Sequence, residues 1–328
     1  MSDIKLYRLT SGVAAELQGR ASDLEKPLQT LIEANLQSLL NIRFIASEHS
    51  TGKTHGGRID SLGLDENHCP VILEYKRSVG ENVINQGLFY LDWLMDHKAE
   101  FKLLVLDKLG AVAADAIDWS APRVMCIAAD FTKYDNHAVQ QMGRNIDLIR
   151  YRRFGEDLLL LESVNVGSDA VSKTSAPKST KSSGGKTEAL EGAMSAPSDD
   201  VGAKGTGPDR SFAELLPTLS ESMQVLLASL EDYTLSLGDD VQRKELRLYV
   251  AFKRLKNFAT VVLHRKNCLF LFLHVDPATA VPMLSNARDV TNIGHWGTGN
   301  LELVLSSLAD LEAAKPLIAA AYEGRNPG

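Results

Sequence analysis

The apolar positions of the first 165 residues change period several times, and each change marks an element. Over residues 24–40, Leu28, Leu31, Ile32, Leu36, Leu39 and Leu40 recur at intervals of three, four and seven. That spacing gathers them on one stripe of a helix, with Asp23 as a suitable N-cap. Residues 43–46 and 57–64 then read as strands, Asp65-Glu66-Asn67 as a turn, and 71–76 as the second arm of a hairpin. Residues 82–97 are helical again. The short apolar runs 102–106 and 123–128 read as buried strands, 137–146 as a helix, and 148–154 with 158–162 as a hairpin around Gly155-Glu156-Asp157. Strands and helices in this order predict an α/β domain with a mixed sheet flanked by helices.

Residues 166–209 are rich in Ser, Thr, Gly, Ala, Pro and Lys and contain no aromatic residue. Such a stretch buries too little apolar area to offset its ordering entropy, so it reads as a disordered linker. It separates a domain over 1–165 from a smaller α+β domain over 210–328. In the second domain the patterns predict a helix at 212–230, a basic segment at 243–265, a hairpin of 260–264 and 268–274 around Arg265-Lys266-Asn267, a strand at 301–305 and a helix at 310–322.

Composition narrows the class. Of 328 residues, 44% are apolar and 23% charged, which is ordinary for a globular chain. A net charge of −7 argues against a protein that coats nucleic acid over its whole surface, though not against a local basic groove. Cys69, Cys126 and Cys268 stand far apart and form neither a zinc motif nor a disulfide framework. The N-terminus lacks an apolar signal core and no apolar run is long enough to span a bilayer, so the expectation is a cytoplasmic protein without a membrane partner.

The chemistry concentrates on Gly57-Arg-Ile-Asp60 and Leu73-Glu-Tyr-Lys76. Glu74 and Lys76 are two apart on a strand and share a face, while Leu73 and Tyr75 take the other. Burying Glu and Lys is costly unless they are paired or hold a metal. Asp60 and Glu74 would supply oxygen ligands to Mg²⁺ or Mn²⁺, and Lys76 would orient or deprotonate a water or stabilise developing charge. Alone, a D…ExK pattern also arises from a cross-strand ion pair.

The run Asp60-x13-Glu74-x-Lys76, after an amphipathic helix and before a helix bearing Gln86-x3-Tyr90, resembles the PD-(D/E)xK nuclease superfamily, and most closely a NucS-type catalytic domain over residues 24–94. The Pro of the motif name is replaced by Ile59. The resemblance implies a restriction-endonuclease-like fold, a metal-dependent nuclease, and Asp60, Glu74, Lys76, Gln86 and Tyr90 as site residues, with Gln86 and Tyr90 in a supporting place as in RecB-type nucleases. It also implies a first-helix carboxylate completing the metal site, which is Glu25, with Glu33 as competitor. The resemblance also implies DNA as partner, without a distinction from RNA, and a homodimer as an option, since many enzymes of this fold pair two sites to cut two strands. Repair, restriction or defence are the implied contexts. Across nearly the whole length, the chain resembles bacterial proteins that join such a domain to a C-terminal domain of unknown function with a GHWGTG-type motif.

Other residues carry two readings each. Gln86 and Tyr90 lie one helical turn apart and can face one site, or form a half-buried polar pair. Arg58 and Arg77 flank the carboxylates and would grip phosphates, or simply face solvent. Arg150, Arg152 and Arg153 crowd one late strand and would line a nucleic-acid channel, or protect an edge strand. His49 and His55 read as exposed loop residues. The basic residues between Arg243 and Lys266, interleaved with Phe252 and Phe258, suit backbone binding, or a solvated face. The glycines around His295 and Trp296 read as a tight turn with a packed Trp. The rival to a nuclease is a nucleic-acid-binding module on the same fold whose catalysis has lapsed.

Overall fold

The computed structural model describes residues 4–21, 25–76, 82–164, 210–264 and 268–325. The expected linker, the Asp23 cap, Arg77 and the 265–267 turn lie outside these residues. The first unit runs Leu6–Thr10 (β1), Val13–Leu17 (β2), Gly19–Arg20 (β3), Glu25–Ala34 (α1), Leu36–Leu40 (α2), Arg43–Ser50 (β4), Gly52–His55 (α3), Arg58–Leu64 (β5), Pro70–Lys76 (β6) and Val83–Asp96 (α4). It continues through Lys98–Leu109 (α5), Ala111–Asp115 (α6), Arg123–Ala128 (β7), Lys133–Met142 (α7), Ile146–Phe154 (β8) and Leu158–Ser163 (β9). The sheet order is β3-β8-β7-β6-β5-β4, with β9 on β8. Strands β4, β5 and β6 are antiparallel, whereas β6, β7 and β8 are parallel. This is the mixed, helix-flanked sheet that the alternating pattern implies.

Strand alternation splits the first core in two. Val71, Leu73 and Tyr75 of β6 face α1 and α2, where Leu28, Ile32, Leu36 and Leu40 pack. Ile72 faces the opposite layer, with Tyr90, Leu91, Trp93 and Leu94 of α4 and Phe101 and Val105 of α5. Each fully buried Leu or Ile of this kind contributes about 1.5–3 kcal/mol.

Two expectations fail here. Residues 102–106 are not a strand but the middle of α5. Only Phe101 and Val105 are buried there, four apart, while Leu103 and Leu106 are exposed; a short apolar run does not disclose its own period. The single helix expected at 212–230 is two helices, because Pro217 lies in a 3-10 turn and Ser220 caps a new start by accepting from the Met223 N–H.

The second unit contains Phe212–Leu215 (α8), Glu221–Ser236 (α9), Gln242–Glu245 (β10), Tyr249–Lys253 (β11), Asn257–His264 (β12), Cys268–Leu273 (β13), Pro277–Ala280 (α10), Ala287–Asp289 (β14), Leu301–Leu305 (β15) and Leu308–Glu323 (α11). Its antiparallel sheet has the order β10-β11-β12-β13-β15-β14. One face packs on α8, α9 and α11. The other face carries Tyr249, Ala251, Val262, Phe270 and Phe272 onto Cys69 and Ala121 of the first unit. The basic segment therefore has a structural use. Phe252 and Phe258 are core residues, Lys253 is buried, Arg243 pairs with Glu231 and Glu245, and Arg254 pairs with Asp240. The glycine-rich turn also departs from expectation. Trp296 is 47% exposed, and it is the His295 ring that stacks on Phe272, at 4.2 Å between centroids. Gly297 and Gly299 do take positive φ, +85° and +142°.

A buried charge cluster joins the units. Arg123, 2% exposed, reaches Asp147 at 2.7 Å, Asp65 at 3.2 Å and Glu66 at 3.9 Å. Lys253 enters from the second unit and contacts both Asp147 oxygens, at 3.0 and 2.9 Å. Burial opposes ionisation of Asp147, but Lys253 and Arg123 outweigh it and hold the carboxyl well below the usual carboxylate range. Glu66 is pushed up by burial and then by Asp65. Beside them the Asn67 side-chain oxygen accepts from Tyr249 Oη at 2.8 Å and Asn257 Nδ2 at 2.7 Å. Removing one partner of a buried pair strands the other charge, at a cost of about 3–5 kcal/mol. Lys253→Met is accordingly expected to lower the urea-unfolding free energy of the full chain by about that much. A midpoint equal to that of the unsubstituted protein would refute the role given to this cluster.

Candidate active site

The site lies where β6 ends, at the carboxyl edge of the parallel strands, the place where open α/β sheets gather ligands. One position beyond the Ser61↔Leu73 pair, Asp60 stands opposite Glu74. The Asp60 N–H donates to Glu74 Oε1 at 3.3 Å, and the Tyr75 N–H donates to Asp60 Oδ2 at 3.0 Å. Glu74 is fully buried, and its Oε2 has no hydrogen-bond partner. Like charges directly across a sheet repel. Burial, and then Asp60, push the Glu74 carboxyl up to about 9, and burial raises Asp60 as well. An orphaned buried carboxylate oxygen beside a second carboxylate is a donor set suited to a hard divalent cation. Among the described residues, no group of three or more His, Cys, Asp or Glu side chains converges as a metal site.

Lys76 flanks the pair, with its Nζ 3.9 Å from Glu25 Oε2. It also borders a cavity of about 550 Å³ lined by Asn82, Asn85, Gln86 and Phe89. From α4, Gln86 Nε2 donates to Tyr90 Oη at 3.3 Å, and the Arg58 N–H donates to the same oxygen at 3.2 Å. Tyr90 thus ties α4 to the start of β5. Gly57 is required there because a Cβ would stand 2.6 Å from the Tyr90 ring.

The structure therefore brings Asp60, Glu74, Lys76, Gln86, Tyr90 and Glu25 to one end of the sheet. Glu33 does not join them. It accepts from Ser61 Oγ at 2.6 Å, Ser47 Oγ at 2.8 Å and Gln29 Nε2 at 2.9 Å, on the α1 side of the sheet. Arg150 is also misplaced for a channel. It is buried, holding Glu162 at 2.8 Å and Asp130 at 3.0 Å. Arg152 is half-buried on β8, and Arg58 is exposed. His49 and His55 are built into the α4 side, against Trp93 at 5.1 Å and Phe89 at 5.3 Å.

Three residues were missed by sequence reasoning. Gln29 is buried and donates to the Asp60 carbonyl at 2.8 Å. Its signal was available, as a polar residue between Leu28 and Ile32 on the apolar stripe of α1. Glu48 and Lys26 gave no signal, because their place depends on the β4–β5 register.

The architecture defines a mixed α/β unit carrying a carboxylate pair and a lysine, joined to an antiparallel α+β unit. Residues 213–324 match the family described as "Domain of unknown function (DUF5655)". A protein of Haemophilus influenzae described as uncharacterized is 28% identical over 321 residues, 96% of this chain and 98% of that one. Among solved structures, a repair endonuclease from Pyrococcus abyssi is similar at 17% identity and a TM-score of 0.26, over 40% of this chain and 49% of that one. An EndoMS complex with double-stranded DNA is similar at 16% identity and a TM-score of 0.22, over 44% of this chain and 65% of that one. The chain thus spans about half of the first structure and just under two thirds of the second. No helix among the described residues is long and apolar enough to cross a membrane.

The carboxylate pair has a measurable signature without metal. The folded protein holds the Glu74 proton up to about 9, whereas the unfolded chain releases it near 4.5. Glu74 therefore contributes stability that is full below the unfolded value and is lost as pH rises through the folded one. With a chelator present, stability is expected to fall between about pH 5 and 9 by up to about 1.4 kcal/mol per unit. Glu74→Gln should remove this fall in urea titrations, and an unchanged slope in that variant would disprove the assignment.

Proposed function

We propose that this chain is a divalent-metal-dependent endonuclease of the PD-(D/E)xK type acting on DNA, within repair, restriction or defence. The observation that carries the reading is the buried, unpartnered Glu74 oxygen opposite Asp60, with Lys76 beside it. Asp60 and Glu74 would hold Mg²⁺ or Mn²⁺, which when bound supplies charge neutralisation at the phosphate and a lowered pKa for a bound water. Lys76 stands on the same strand face, two residues from Glu74, where its ammonium faces the negative charge that develops on a phosphoryl oxygen. Glu25 serves here as the acidic neighbour of Lys76 and orients it. Gln86 and Tyr90 act at one remove: the Tyr90 hydroxyl fixes the backbone at Arg58, and so the placement of Asp60 two residues further along β5. The second unit covers the far end of the β5–β6 hairpin.

Cleavage of single-stranded, double-stranded and branched DNA with Mg²⁺, Mn²⁺ or EDTA tests the reading. We expect metal-dependent cutting that falls by at least about 100-fold in Asp60→Ala and in Lys76→Ala. A folded protein that binds DNA equally with and without metal and cuts none of these substrates would make it a lapsed binding module.

A further inference from the structure

Glu48 occupies an unusual place. It lies in β4 between the pairs Ser47↔Ser61 and His49↔Ile59, so it stands across from Asp60. Its φ is +52°, in the left-handed region that a non-glycine residue seldom adopts. Glu48, Asp60 and Glu74 are thus at aligned positions on three adjacent strands, and Glu48 opposes ionisation of both Asp60 and Glu74. A third carboxylate at this position works against the site unless cations accompany it.

Two cations do. Lys26 Nζ, from α1, is 2.7 Å from Glu48 Oε1, and Arg58 Nε, from β5, is 2.6 Å from Glu48 Oε2. The side chains of Lys26 and Arg58 are 60% and 69% exposed, while that of Glu48 is 29% exposed. Lys26 also donates to Gln29 Oε1 at 3.2 Å, and Gln29 in turn holds the Asp60 carbonyl. The Arg58 backbone is tied to Tyr90. Both cations are therefore indexed to the frame that positions Asp60, and both side chains are mostly exposed. A lone exposed ion pair is worth little. Here two flexible cations from different elements converge on one carboxylate held in a constrained backbone.

We infer that Lys26 and Arg58, set by Glu48, form a clamp for the backbone phosphates of DNA beside the scissile position, with Glu48 as a positioning residue. The inference rests on the nucleic-acid reading above and gives the site a basic wall that the net charge of −7 conceals. Phosphate contacts of this kind set register on the strand without reading sequence. Lys26 and Arg58 can take a phosphate while Glu48 still holds them, because an ammonium and a guanidinium each carry several N–H donors and both side chains are exposed.

The test is DNA binding rather than cleavage. A fluorescent duplex is titrated with the full-length Glu74→Gln protein in EDTA across a series of salt concentrations. Lys26→Ala and Arg58→Ala are each expected to weaken binding and to flatten the slope of log K against log salt by about 0.9. Glu48→Gln is the decisive variant. It removes a negative charge from the DNA-facing surface, so charge alone predicts tighter binding, whereas the clamp predicts binding weaker by about five-fold, on the order of one lost phosphate contact. Tighter binding by Glu48→Gln, or unchanged slopes in the two cation variants, overturns the clamp. Loss of slope in a protein that never cuts DNA supports the clamp and separates it from the nuclease reading.

Discussion

Burial of the Arg123 guanidinium among Asp65, Glu66 and Asp147 is the constraint on which the rest of the molecule depends. Arg123 opens β7, Asp65 and Glu66 form the turn between β5 and β6, and Asp147 lies in β8. One side chain thus fastens the antiparallel and parallel halves of the sheet. A charge so enclosed is tolerable only when every partner is in place. Lys253 and the Asn67–Tyr249–Asn257 contacts supply the last of them from the second unit. The two units are for this reason coupled in stability, and the second gains a structural role independent of any ligand it binds.

The two ends of the same hairpin differ in what faces their buried acids. At the turn, carboxylates meet cations: the Asp147 carboxyl is lowered, while burial and Asp65 raise Glu66. At the open end, Asp60 and Glu74 meet each other, and both carboxyls are raised. The fold thus sets cations among its buried acids at one end and leaves two carboxyls facing each other, one with an orphaned oxygen, at the other. Perturbed carboxyls in a cleft are a mark of functional sites. The site's stability cost is met by packing elsewhere, chiefly the two apolar layers on either side of β6.

How much of this could be read beforehand depended on the range of the interaction. Glu74 and Lys76 share a face because strand alternation has a period of two, and Gln86 and Tyr90 share one because a helical turn has four residues; both facts are local. The mixed sheet followed from the order of short apolar runs and amphipathic stretches. Residues 102–106 misled because five apolar or amphipathic positions carry no unambiguous period. The basic segment between Arg243 and Lys266 misled for a different reason. Composition counts charges, but whether Lys253 faces solvent or Asp147 is settled by which domain face is covered.

The sequence by itself determined the alternation that builds the hairpin, the chemical identity of the carboxylates and lysine, and the break between the two units, since each depends on neighbours a few residues apart. Only the tertiary structure decided that Glu25 lies near Lys76 while Glu33 turns to Ser61, that Arg150 is sealed inside, and that Glu48 stands across from Asp60 between Lys26 and Arg58. The place of Glu48 follows from the register of β4 on β5, which shifts between Phe44 and Ala46, and the others from how α1 and β9 pack on the sheet. A one-residue change of register exchanges the faces of a strand, and no local pattern records which register the packed sheet selects.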